Sequence, residues 1–166
     1  MNKFGCLLLL AICCGEVAIA QRIQDFRLTS NEIAATAFSN DKTGSSGVEG
    51  IRTKVLAGDP SKSGFYSVLL FVPPNTSIQP HSHAGDRVAA VISGHWYIGY
   101  GSRFSTESLK ELPPGSVYSE PARRNHFAKT GNVAVIVEIS GYGPTDTVYV
   151  NPVDDPAAQQ KLTGAK

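Results

Sequence analysis

The chain has 166 residues, with 15 Lys and Arg against 14 Asp and Glu, so its formal net charge is +1. That is the length of one domain. At 42% hydrophobic and 17% charged residues, the chain reads as globular and able to bury a core without covalent staples. It has no long basic run, so nothing in it offers a face for nucleic acid.

Lys3 supplies a positive start, Phe4 to Cys14 is a short apolar run, and Ala18-Ile19-Ala20 has the small-x-small form of a cleavage site. Together they predict a signal peptide over residues 1–20 and a mature chain from Gln21, exported to the periplasm or the cell exterior. The apolar run is too short for a good bilayer span, and Glu16 would be costly inside one, so no stable membrane anchor is expected after cleavage. Bulky Ile12 argues against lipid attachment at Cys13. All three cysteines (Cys6, Cys13 and Cys14) fall in this segment. The mature chain then has no disulfide and no thiolate, which leaves imidazole and carboxylate as its metal ligands.

Residues 21–50 form an N-terminal arm. Thr29 and Glu32 have capping-box spacing, which predicts a short helix over Ile33–Phe38, and Asn40–Gly47 is a Gly/Ser-rich loop. From residue 51 to 150 the pattern changes to short runs rich in Val, Ile, Tyr and Phe. The predicted strands are Ile51–Leu56, Tyr66–Val72, Ser77–His83, Val88–Ile92, Trp96–Tyr100, Ser116–Ser119, His126–Lys129, Val133–Ile139 and Thr147–Val150. Clusters such as Pro73-Pro74-Asn75, Ser93-Gly94 and Pro113-Pro114-Gly115 separate them. Many short strands at close spacing imply an all-β antiparallel sandwich or barrel. Ser105–Glu111 has room for one helical turn, and residues 151–166 read as a loose polar tail.

Among four histidines, His81 and His83 are two apart on a predicted strand and so share a face. His126, at the start of a distant strand, is the candidate third member. Three imidazoles suit a divalent transition metal such as Fe, Zn, Mn, Ni or Cu. The same residues are also compatible with ordinary hydrogen-bonded histidines.

The stretch from Asn75 through His81-Ser82-His83 and Arg87 to Gly94 resembles the first motif of the cupin superfamily. The stretch from Gly115 through Pro121-Ala122-Arg123-Arg124-Asn125-His126 resembles the second. The resemblance covers about a hundred residues. It implies a double-stranded β-helix, or jelly-roll barrel, with the motif histidines lining an interior pocket. Three positions depart from the motifs. Asn75 and Arg123 stand where the motifs have Gly, and the turn at Arg123 is expected to differ. Arg87 stands where metal-binding cupins have Glu.

A guanidinium beside a divalent ion needs an answering charge. Glu120 and Glu138 are the carboxylates in range to pair with it or to act as a fourth ligand, and Glu120 is also a candidate for proton transfer. Asp86 is expected to point to the opposite face. Alternatively, Arg87 holds an anionic substrate. The resemblance implies this too, since three-histidine cupins include dioxygenases whose arginine binds the substrate carboxylate. A possible oxygenase acting on a small acidic or aromatic molecule is therefore one reading, and a metal-free ligand-binding barrel is the other. The resemblance also implies homodimers formed through barrel-edge strands. Trp96, Ile98 and Tyr100 are expected on one strand face and His95 and Tyr97 on the other, mostly as core, while Phe127 is expected to orient its strand.

Overall fold

The structure is a computed structural model that describes residues 22–164. The predicted signal peptide lies outside the described residues. Ten strands run in chain order: β1 (Arg52–Ala57), β2 (Gly64–Val72), β3 (Ser77–Ser82), β4 (Arg87–Ser93), β5 (Trp96–Tyr100), β6 (Lys110–Leu112), β7 (Val117–Glu120), β8 (His126–Thr130), β9 (Val135–Gly143) and β10 (Val148–Tyr149). They form two antiparallel five-stranded sheets, β1-β2-β9-β4-β7 and β10-β3-β8-β5-β6. This is the jelly-roll architecture expected from the sequence.

Strand alternation builds the core. Tyr66, Val68, Leu70 and Val72 of β2 and Val135, Val137 and Ile139 of β9 turn inward and are buried. Trp96, Ile98 and Ala128 meet them from the second sheet. Tyr100 leaves this pattern. It stands on the rim, with its hydroxyl donating to the Ser119 carbonyl at 2.7 Å. Phe127 packs on the outer side, against Phe104 at 5.0 Å between ring centroids. Gly99 gives it room, since a Cβ there would lie 2.6 Å from the Phe127 ring.

The helix of the arm is α1 (Ser30–Ala35), three residues earlier than expected, because the Thr29–Glu32 capping box fixes its start. Residues 106–108 form a 3-10 turn, but the segment after it pairs with β5 as β6, a strand too short to show a period. The loose tail is corrected too: it carries α2 (Pro156–Thr163). Asp155 caps this helix by accepting from the Ala157 N–H at 2.8 Å, with Pro156 in the first turn. No helix among the described residues is long and apolar enough to cross a membrane.

The motif departures have a backbone explanation. Gly94 and Gly115 have φ of 74° and 85°, and Asn75 and Arg123, at the substituted positions, have φ of 55° and 58°. All four motif positions are left-handed. Arg123 therefore takes the left-handed conformation that favours glycine, at the position where the motif has Gly.

Candidate metal centre

A β-bulge aims the first pair of histidines. Ile78 pairs with Ala128 and His81 pairs with His126, so β3 uses three steps where β8 uses two. Pro80 falls in this interval, where a missing N–H is tolerated. The extra residue shifts the inward phase from Ile78 to His81, and His83 follows two residues later on the same side. A regular strand over Ser77–His83 would have turned both imidazoles away from the side that Ile78 faces.

Two facing rows result. In one sheet the register runs Tyr149, His81, His126, Tyr100 across β10, β3, β8 and β5. In the other it runs Tyr66, Gly141, Arg87, Glu120 across β2, β9, β4 and β7. His81, His83, His126, Arg87 and Glu120 are each 5% exposed or less.

Each imidazole is oriented through Nδ1. His81 bonds the Gln79 carbonyl at 2.7 Å, His83 the Asp146 carbonyl at 2.5 Å, and His126 the Arg124 carbonyl at 3.1 Å. A carbonyl only accepts, so Nδ1 carries the proton in every case and each Nε2 keeps its lone pair. The three ligand nitrogens lie within 4.8 Å of one another. Two ligands on one zinc-like ion sit roughly 3.0–3.4 Å apart, so a modest contraction would bring the set onto one ion. His126 Nε2 is buried with no hydrogen-bond partner. Nδ1 atoms tied to carbonyls with a buried lone pair left over are the arrangement of metal-ligating histidines, and the residues fit a divalent transition metal.

Burial keeps these rings neutral. It pushes His81 down to about 3, with His126 adding to the effect, and His83 down to about 2, with Arg87 adding to it. His126 is lowered as well, chiefly by burial.

The charge question raised by Arg87 is answered across the strand pair. Its Nε donates to Glu120 Oε2 at 2.6 Å, and its Nη2 makes a second, close contact with the same oxygen. Burial works most strongly against charge on Glu120, but Arg87 together with the neighbouring His126, His83 and His81 outweighs it and holds the carboxyl at about 2. Arg87 Nη2 also donates to His83 Nε2, and Nη1 reaches the Gly44 carbonyl at 3.4 Å. The guanidinium is thus engaged within the protein. Glu120 places Oε1 3.6 Å from His126 Nε2 and Oε2 3.7 Å from His83 Nε2, close to the spacing of neighbouring ligands.

Glu138 is not at the centre. It faces the outer side of its sheet and accepts from Ser67 and Ser140 hydroxyls at 2.6 and 2.5 Å. Asp86 is exposed, and its carboxylate accepts the Ala122 N–H at 2.7 Å, tying the two motifs together. The Arg123 N–H donates to the His83 carbonyl at 2.7 Å. His95 is exposed and bonded to Glu111.

Sequence reasoning missed two contributors. The Gly/Ser loop lies against Thr147, Tyr149 and Arg87. Ser45 and Ser46 are buried there, and their carbonyls accept from Thr147 Oγ1 at 3.0 Å and the Tyr149 hydroxyl at 2.8 Å. Nothing in a Gly/Ser composition distinguishes such a strap from a free loop. Tyr66 was legible only as an inward residue of β2.

No protein-family model matches the chain, and no curated protein matches it in sequence. Solved structures do match. The polyketide cyclase RemF from Streptomyces resistomycificus aligns over 83% of this chain and 94% of its own, with TM-score 0.63 and 17% identity. An RmlC-like cupin from Shewanella frigidimarina aligns over 74% and 94%, with TM-score 0.51 and 15% identity. The DMSP lyase DddQ from Ruegeria pomeroyi aligns over 60% of this chain with TM-score 0.50 and 14% identity; the match spans about half, 51%, of that lyase. At these identities the likeness concerns the fold, and the fold is that of a cupin.

Proposed function

We propose that this chain is an exported cupin protein whose His81, His83 and His126 hold one divalent transition metal through Nε2, with Glu120 as a further carboxylate ligand. A small molecule is bound at that centre. The observation that carries the reading is the set of three neutral imidazoles, each fixed by a main-chain carbonyl, with the buried Nε2 of His126 left unpaired. Arg87 and Glu120 cancel each other, so a bound divalent ion leaves the centre with two positive charges. That favours an anionic ligand, such as a small carboxylate or an ionised phenol. When bound, the metal supplies Lewis acidity or oxygen activation; an oxygenase is one activity consistent with this. The fold leaves the reaction open, since its structural neighbours include a cyclase and a lyase.

The test is elemental analysis of protein purified from its native compartment without affinity tag or chelator. About one transition metal per chain is expected, with none in His81→Ala or His126→Ala. Stoichiometric metal retained in the double variant would overturn the reading.

One observation favours a second reading. Arg87 Nη2 already occupies His83 Nε2, so the centre is nearly satisfied without an ion. A metal-free binder would show ligand-induced thermal shifts that survive EDTA, whereas the metal reading requires them to vanish.

A further inference from the structure

Tyr66 is fully buried on the inner face of β2, and its hydroxyl has no hydrogen-bond partner. A buried hydroxyl left unpaired is costly and calls for an explanation. Its position follows from the ladder, where Tyr66 stands opposite Gly141, Gly141 opposite Arg87, and Arg87 opposite Glu120. Gly141 lets the ring lie along this row. A Cβ at Gly141 would stand 2.9 Å from the Tyr66 hydroxyl oxygen and 3.2 Å from the Asp86 carbonyl oxygen. The φ of Gly141 is an ordinary one, so the missing side chain supplies room and not conformational freedom.

The groups around the centre are short of free donors. The three Nε2 atoms and the Glu120 carboxylate are acceptors or ligands, and the Arg87 guanidinium is engaged by Glu120, His83 and Gly44. Tyr118 carries another buried hydroxyl, but it is engaged with Trp96, with ring centroids 6.5 Å apart, and it stands two residues along β7 from this row, opposite Ala89.

We propose that the Tyr66 hydroxyl is the ligand-facing donor of the centre, giving its hydrogen bond to an acceptor oxygen of a small carboxylate, hydroxamate or carbonyl compound bound beside the histidines. This assignment rests on the metal reading above. It explains both the orphaned hydroxyl and the glycine opposite it. A phenol donating to an anionic oxygen makes a charge-assisted bond, which suits the positive charge that the loaded centre carries.

The experiment strips the full mature chain of metal, reloads it with Co(II) and titrates it with acetohydroxamate, following the visible Co(II) bands. Tyr66→Phe is expected to bind one Co(II) per chain as the wild type does, and to raise the acetohydroxamate Kd about tenfold or more. Gly141→Ala, which pushes the ring aside, is expected to reproduce that loss with Co(II) retained. Tyr118→Phe removes an equally buried hydroxyl off the row and is expected to change the Kd less than about twofold. An unchanged Kd in Co(II)-loaded Tyr66→Phe, or an equal loss in Tyr118→Phe, overturns the assignment. A wild-type chain that takes up no Co(II) defeats the metal reading itself, and the assignment with it.

Discussion

The two rows that face each other across the barrel handle buried polarity in opposite ways. On β4 and β7, Arg87 and Glu120 bring full charges inside and satisfy them with each other. On β3 and β8, His81 and His126 are kept neutral by burial, and the lone pair on His126 Nε2 has no partner in the protein. The first arrangement is closed within the fold, so losing one member leaves a buried charge behind. The second is open and has a use only when something else enters. The Arg87–Glu120 pair thus serves the fold even with the centre empty, whereas the unpaired His126 nitrogen serves only a ligand.

The largest effect should come from breaking the closed row. Glu120→Gln leaves the Arg87 guanidinium buried without its counter-charge, and the expected loss is about 3–5 kcal/mol of unfolding free energy in chelator-treated protein. Replacing both members, as in Arg87→Met with Glu120→Leu, should recover most of that loss, because breaking a buried pair costs more than replacing it. Chemical denaturation of the two single variants and the double variant completes the cycle. A loss below about 1 kcal/mol for Glu120→Gln would mean that the pair is not held as described.

Acid separates the rows by pH window. His81 and His83 are depressed from 6.5 to about 3 and about 2. As pH falls below 6.5 the unfolded chain takes up protons that the folded chain refuses, so stability drops. From pH 6.5 to 5, each of these imidazoles can remove at most about 2 kcal/mol. Glu120, depressed from 4.5 to about 2, keeps its contribution until the pH falls below about 4.5, and then loses it in the same direction. Urea midpoints of metal-free protein should therefore begin to decline near pH 6.5 and fall more steeply below about 4.5, where Glu120 joins the imidazoles. A flat profile from pH 7 to 5 would show imidazoles that titrate normally in the folded state.

How much of this was legible in the sequence differs between the rows as well. The histidine set could be read because His81, His83 and His126 carry a recognisable spacing, and alternation placed the apolar residues of β2 and β9. The bulge at Pro80 could not be read, although it decides which way His81, and His83 after it, point. Glu120 was one of two candidate partners for Arg87, and only the β4–β7 register singled it out. β6 and α2 were missed because three strand residues and one Asp-Pro cap give little periodic signal. Tyr66 was invisible as a site residue, since its role depends on a ladder partner seventy-five positions away.

Opening the other row should cost little. His126→Leu removes the unpaired Nε2 together with the Nδ1 bond to Arg124, two effects of opposite sign on stability. The expected net change in metal-free protein is about 1 kcal/mol or less in either direction, with complete loss of metal uptake. A variant destabilised as strongly as Glu120→Gln would show that His126 holds the fold together and that the two rows are not divided as argued.

The smallest effect sharpens the comparison at the turn between β7 and β8, which carries Glu120 at one end and His126 at the other. Arg123 holds φ at 58° there, a conformation that costs a residue with a Cβ roughly 1–2 kcal/mol. Arg123→Gly relieves that cost but adds freedom to the unfolded chain worth about 0.5–1 kcal/mol, so a net gain of about half a kcal/mol is expected. The Arg123 N–H that holds the His83 carbonyl is a backbone group and survives the change, so metal uptake should stay at the wild-type level. Alanine at the same position keeps the strained φ and should show no gain. If glycine and alanine behave alike, the left-handed turn is not what the arginine side chain opposes. If glycine alone stabilises, the left-handed φ at this position is imposed by the ladder around it, independent of the residue that fills it.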